Sequence, residues 1–300
     1  MRILLIAGGW SNEREVSLRG AESIQAGLQD LGHEVQRLDP AQEFDKLLPQ
    51  ADSCDFAFIN LHGSPGEDGL IQALLEQTGC PYQGSGPKGS LLALHKAAAK
   101  EIFHSIGLPT PKWEYLPARV SRDWKPALEL PLVLKPNFGG SSLHVSLIQD
   151  LPQLLQKMHE LWDMGWEILL EERIPGQEIT CAVLGLQALP PILIQPAQES
   201  AFFDYYSKYT PQAAQEICPA PISQELTAKI QNLALRAHRA LDLQGYSRSD
   251  FLVLQEQPYL LEVNTLPGMT STSLLPQAAQ AQGYSFQDLL AELISLGLNA

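Results

Sequence analysis

Short apolar runs alternate along the chain with longer stretches whose apolar positions recur at helical spacing. "RILLIAG" reads as a buried strand, and "SLRGAESIQAGLQDLG" as a helix with Ala21, Ile24, Leu28 and Leu31 on one face. Gly32 is placed to stop that helix. "HEVQRLD" and "CDFAFINLHG" read as further strands and "GEDGLIQALLEQTG" as a second helix. Strands alternating with helices imply a parallel α/β layer with right-handed crossovers, expected over residues 1–86.

A helix is expected through "LLALHKAAAKEIFHSIG", then a linker, "LPTPKW". The strand "LPLVLKP", the Gly/Ser loop "NFGGSSLH", the strand "VSLIQ", the helix "DLPQLLQKMHELWDM" and the strand "WEILLEERI" complete a second unit, 87–178. In the third unit, 179–300, "EITCAVLG" and "PPILIQPA" read as strands and "SQELTAKIQNLALRAHRALDL" as a helix. "SAFFDYYSKYTPQAAQEICPAP" has no clear period and reads as a long functional loop or an aromatic patch packed on the core. "SRSDFLVL" and "PYLLEVN" form a hairpin by spacing, and a closing helix follows.

That hairpin carries the first chemistry. Side chains alternate along a strand, so Glu262 and Asn264 share one face, as do Arg248 and Asp250 on the partner strand. Pairing brings Asp250 opposite Glu262. Two carboxylates and an amide oxygen form a hard, all-oxygen donor set of the kind Mg²⁺ takes alongside phosphate oxygens. An ordinary Arg248–Glu262 ion pair is the alternative. "KPNFGGSS" supplies a phosphate element, with Lys135 as a strand-terminal charge and a small-residue turn behind it. It is not a P-loop, and "GGWSNEREVSL" lacks the dinucleotide glycine spacing. Lys96 and Lys100 lie on one expected helix and, from the residues alone, read as a solvated face.

The 300 residues are long for one core. A net charge of −14 argues against a general nucleic-acid surface. The four cysteines are widely spaced with no CxxC pair, which argues against zinc and iron–sulfur clusters and fits reduced thiols. The apolar start is too short to cross a membrane, and no cleavage signal follows it.

In this order, "GGWSNEREVSL", "LHGSPGEDGLIQALLEQTGCPYQGSG", "LVLKPNFGGSS", "FFDYYSKY", "SRSDF" and "LLEVNTLPGMTSTSLLP" resemble the D-alanine–D-alanine ligases of the ATP-grasp superfamily. The resemblance implies a three-domain α/β fold, with ATP held between the central and C-terminal units. It also implies ATP-dependent joining of two D-alanines through an acyl phosphate for cell-wall precursor synthesis. Lys96, Lys135, Ser142 and Lys208 are then expected at the ATP phosphates, and Glu171 and Glu178 at the adenine and ribose. Asp250, Glu262 and Asn264 would hold Mg²⁺ or Mn²⁺, and Glu15 the ammonium of the first D-alanine, with His62 nearby. Arg248 and the Gly268 backbone would stabilise the oxyanion, and Ser273 and Leu274 would bind the second carboxylate. Ser141 and Tyr209 would complete a hydrogen-bonded triad with Glu15. A cytoplasmic homodimer without nucleic-acid or membrane partners is expected.

The chain departs from the family pattern at Gly139, at His144 where glycine is usual, at His95 where aspartate is usual and at Thr272 where histidine is common. At a positive φ, the side chain of His144 costs energy; facing a phosphate, it contributes a contact. Two other readings remain open. One is an ATP-grasp ligase with a different amino or hydroxy acid acceptor. The other is a catalytically weak, nucleotide-binding homologue.

Overall fold

The computed structural model describes residues 1–121, 123–140, 143–196, 214–270 and 272–299. β1 (Arg2–Ala7), α1 (Arg14–Asp30), β2 (Glu34–Leu38) and β3 (Phe56–Asn60) lie where the hydrophobic pattern puts them. The strands form a parallel sheet in the order β2–β1–β3. β3 is buried throughout, as expected of a strand covered on both faces. Two short helices, α2 (Pro40–Glu43) and α3 (Leu47–Ser53), precede β3. Neither is long enough to show a period, so sequence reading passed over both. α4 (Leu70–Thr78) follows Gly69, whose φ of +89° and close approach to the Pro87 backbone exclude a side chain.

The helix expected through Leu91–Gly107 is two helices, α5 (Pro87–Leu94) and α6 (Lys96–Ser105). His95 breaks them with extended backbone, φ −80° and ψ 90°, and caps α6 by accepting the Ala98 N–H. No Gly or Pro announces the break.

β4 (Trp113–Leu116), β5 (Leu132–Pro136), β6 (Ser146–Ile148), α7 (Leu151–Asp163) and β7 (Ile168–Glu172) follow. The strands form an antiparallel sheet, β4–β7–β5–β6. β4 begins inside the stretch read as a linker. Asp150 caps α7, which packs Leu154, Met158 and Leu161 onto Leu132, Leu134 and Leu170.

The next sheet holds β8 (Gln177–Leu184), β9 (Gln187–Ala188), β10 (Ile192–Pro196), β11 (Ala214–Ile217), β12 (Tyr246–Leu254) and β13 (Gln257–Asn264). Its order is β11–β10–β8–β12–β13, with β9 paired to β8. The end of the segment read as an unstructured loop is therefore strand β11, held by antiparallel pairing to β10. α8 (Gln224–Ala240) covers this sheet, packing Ile230, Leu233 and Ala237 with Val183, Phe251 and Val263. The expected hairpin is β12–β13, turned at Gln255 and Glu256 with φ of +50° and +63°. Two positive φ values are what a two-residue turn requires to match strand twist.

The chain ends in two helices, α9 (Leu274–Ala281) and α10 (Phe286–Leu298), where one was expected. A Ser285–Asp288 capping box restarts the chain as α10. Leu275, Leu289, Leu290 and Leu293 share a core with Ile3, Ile24 and Phe56, so the end of the chain closes the first layer. Gly297 makes this contact possible: a Cβ there would sit 2.4 Å from the Tyr82 carbonyl oxygen. Gly297→Ala is expected to destabilise the protein by about 1–3 kcal/mol, the range for overpacking a close contact. A lowered urea midpoint checks this.

Candidate active site

β5 and β7 on one side and β8, β10, β12 and β13 on the other enclose a cavity of about 490 Å³. That is within the range of small-molecule sites. Lys96, Lys135, Glu171, Glu178, Asp250 and Glu262 all line it, so the fold gathers six of the anticipated residues from distant parts of the chain.

The hairpin register places Asp250 opposite Glu262 and Arg248 opposite Asn264. A register shift follows Asp250. Arg248 turns back on its own strand and grips Asp250 with two hydrogen bonds, Nε to Oδ1 at 2.9 Å and a terminal nitrogen to Oδ2 at 2.8 Å. Arg248 thus pairs with Asp250 on its own strand. Thr180 donates to Asp250 Oδ1 at 2.6 Å, and Asn264 Nδ2 donates to Oδ2 at 3.1 Å. Burial opposes the Arg248 charge, but Asp250, Glu262 and Glu178 outweigh it and raise its pKa. Among the described residues, no group of three or more His, Cys, Asp or Glu is arranged to hold a metal. The donor set here is two facing carboxylates and an amide whose nitrogen is committed to Asp250. It fits a hard divalent cation that completes its shell with phosphate oxygens.

Lys96 and Lys100 do not form a solvated face. Lys96 is 8% exposed, and its ammonium donates to the Gly139 carbonyl and sits 3.3 Å from Glu262. Lys100 is fully buried and pairs with Glu171 at 2.7 Å; Lys135 pairs with the other Glu171 oxygen at 2.7 Å. Burial opposes the Glu171 charge, yet the two ammoniums hold its carboxyl below the usual range. Burial, aided by Lys135, pulls Lys100 down to about 8. Glu171 thus lies at the cavity wall with its carboxylate committed to two lysines. Glu178 lines the same cavity from β8.

A second cluster sits beside the first. His62 is buried, is hydrogen-bonded to the Leu266 backbone, and feels both Glu13 and Arg248. Its Nε2 has no hydrogen-bond partner among the described residues. Glu67 accepts from the Gly63 N–H at 2.7 Å. Burial, then Glu13, push the Glu67 carboxyl from 4.5 to about 7. The acid of the "NEREV" loop that faces this cluster is therefore Glu13. Glu15 is exposed, which corrects the sequence expectation. α1 starts at Arg14, so residues 13 and 15 leave the helix start in different directions. Arg14 anchors the turn through Asp39 and the Gly9 carbonyl.

Ser273 stands at the residue before α9, where its hydroxyl makes no capping bond to the helix; it accepts the Thr270 N–H at 3.0 Å and lies against Gly268. Ser273 and Leu274 thus stand at a helix N-terminus, which favours a carboxylate. Ser141, Ser142, Lys208 and Tyr209 lie outside the described residues. Sequence reading missed Glu13, Glu67, Thr180 and Asn137. The two acids flanking Arg14 were the one available signal among these. Thr180 and Asn137 act only through contacts distant in sequence.

The chain matches the family model described as D-ala D-ala ligase C-terminus over residues 102–295 and its N-terminal counterpart over 34–85. Curated D-alanine–D-alanine ligases of Oleidesulfovibrio alaskensis and Nitratidesulfovibrio vulgaris are 58% and 56% identical to it, covering 100% of this chain and 97% and 99% of theirs. A crystal structure of D-alanine–D-alanine ligase from Bacillus anthracis complexed with ATP superimposes with a TM-score of 0.89 at 34% identity, covering 100% of this chain and 98% of that one. Two antiparallel sheets closing on a lysine- and carboxylate-lined cavity, with these relatives, define an ATP-grasp enzyme fold. Within that class, the chain belongs to the D-alanine–D-alanine ligase family.

His144 adopts φ +60° and is exposed, so its side chain carries the cost of a left-handed backbone. His144→Gly should raise stability by roughly 1 kcal/mol, the scale of relieving a left-handed side-chain conformation; an unchanged or lower urea midpoint contradicts this. Glu67 gives a pH signature. Its folded pKa, about 7, lies above the reference 4.5, so its contribution is fully present below 4.5 and is lost as pH rises through 7. Glu67→Gln should flatten the fall in stability over that window relative to the parent. Parallel stability–pH curves contradict it.

Proposed function

We propose that this chain joins two D-alanines to D-alanyl-D-alanine with conversion of ATP to ADP and phosphate. The observation that carries the reading is one cavity lined by Lys96 and Lys135 and by Asp250 and Glu262, which face each other across the hairpin. Lysines neutralise phosphate charge, and the carboxylate pair suits the cation that accompanies it.

The carboxylate of the first D-alanine attacks the terminal phosphorus of ATP. The bond to the ADP oxygen breaks, leaving an acyl phosphate. Its ammonium is held by Glu13, near His62 and Glu67. The amine of the second D-alanine attacks the acyl carbon; Arg248 and the Gly268 N–H face the oxyanion. The carbon–oxygen bond then breaks, and the leaving phosphate takes up the proton that the former amine sheds. Ser273 and Leu274 take the second carboxylate at the start of α9. Asp250, Glu262 and Asn264 would hold Mg²⁺ or Mn²⁺, which when bound neutralises phosphate charge. Asp250 also orients Arg248. Glu171 holds Lys135 in place, and Glu178 takes the ribose side. By resemblance, Ser142 and Lys208 join the phosphate contacts and Ser141 and Tyr209 form a triad with an acid, expected as Glu15; Glu13, which faces His62 and Glu67, takes that place here.

We further take residues 1–86, 87–178 and 179–300 as the working units and the assembly as a cytoplasmic homodimer. In support of a chain free of the bilayer, no helix among the described residues is long and apolar enough to cross a membrane.

The test is phosphate release from ATP with Mg²⁺, with and without D-alanine, with the product identified by mass. D-alanine-dependent release with the dipeptide formed supports the reading. ATP bound without such release contradicts it, and release with another acceptor alone redirects the substrate. Glu262→Gln should raise the Mg²⁺ concentration for half-maximal activity by about ten-fold or more, the scale of losing a metal-site partner; an unchanged Mg²⁺ titration contradicts the metal assignment.

A further inference from the structure

We propose that Asn137 is a positioning residue for nucleotide binding: it clamps the start of α6 onto the end of β5 and so aims Lys96 into the cavity. This rests on the reading that Lys96 meets the ATP phosphates.

The first N–H groups of a helix have no partners within it. In α6 they are met from outside. Lys96 N–H donates to the Asn137 carbonyl at 3.2 Å, and Ala97 N–H to Asn137 Oδ1 at 2.9 Å. Ala98 N–H goes to His95 Nδ1 at 3.1 Å. Two of these acceptors belong to one residue on another element, and Asn137 is fully buried.

Both ends of its amide are engaged. Nδ2 donates to Glu167 Oε2 at 3.0 Å and lies 3.2 Å from His95 Nδ1. A backbone N–H can only donate, so the Ala97 N–H fixes which way the amide points. Glu167 is held in turn by the Tyr115 hydroxyl at 2.6 Å, and its carbonyl accepts the Asn137 N–H at 2.8 Å. The His95 ring packs edge-on against Phe138 and Tyr115, with centroids 4.8 and 5.5 Å away.

The consequence falls on Lys96, the first residue of α6. Its ammonium reaches the Gly139 carbonyl and Glu262, while Lys135 stands two residues before Asn137 at the end of β5. Asn137 therefore ties the helix that carries one phosphate lysine to the strand that carries the other. His95, where the family usually has aspartate, supplies the remaining cap through a ring nitrogen. A side chain that fixes a neighbouring binding group acts on affinity through that group, so its effect depends on Lys96 being present.

The test is a cycle of Asn137→Ala, Lys96→Met and the double variant, read as KM for ATP and kcat at saturating D-alanine. Asn137→Ala should raise KM for ATP on the order of ten-fold, the scale of one lost buried hydrogen-bond partner, with a smaller change in kcat. In the Lys96→Met background it should add little. If Lys96→Met weakens ATP binding but Asn137→Ala does not, or the two effects multiply, the positioning role is overturned while the nucleotide reading stands. If Lys96→Met leaves ATP binding unchanged, both fall. Should Asn137→Ala not fold, His95→Ala probes the same helix start. It should raise KM for ATP, and His95→Asp, which keeps an acceptor for Ala98, should raise it less. Equal values for these two variants overturn the proposal.

Discussion

Charge buried in the cleft has to be matched by opposite charge, and the rest of the site follows from that constraint. Lys100, Glu171 and Lys135 form a nearly solvent-free chain across α6, β7 and β5. An isolated buried ion is far costlier than a paired one, and removing one partner leaves the other uncompensated. Each pairing therefore locks the elements that carry it. Lys96 with Glu262 fastens α6 to β13, and Arg248 with Asp250 stiffens the hairpin face. The cavity is charged without being loose, as the proposed phosphate site requires.

Three hydrophobic clusters hold these pairs in place. The small cluster under β5 and β7 fixes Lys135 and Glu171, and the α8 cluster fixes the hairpin. The first layer, completed by α9 and α10, carries His62 and Glu67 and places Ser273, at the start of α9, beside Gly268. Gln83 links the layers: it pairs with the Ile59 backbone as a strand residue would, and its amide reaches the Tyr246 hydroxyl on β12.

What was legible in the sequence is what local pattern encodes. Two-residue alternation in "SRSDF" and "LLEVN" was enough to put Asp250 opposite Glu262, because side-chain period and hairpin register are local. The division of "LLALHKAAAK" into two helices was not legible, since the cap at His95 is completed by Asn137 far along the chain. The burial of Lys100 was hidden for the same reason: its partner, Glu171, is remote in sequence. Glu13 and Glu15 differ only in which side of a helix start they occupy, and composition carries no such information.

The central claim is that the facing carboxylates and buried lysines form one phosphate and cation site. Anomalous scattering from crystals grown with Mn²⁺ and a non-hydrolysable ATP analogue tests it most directly. A manganese peak bounded by Asp250, Glu262 and Asn264, with the phosphates against Lys96 and Lys135, is the expected result. Nucleotide bound elsewhere, or phosphates in the cavity with no metal at those three residues, would contradict it.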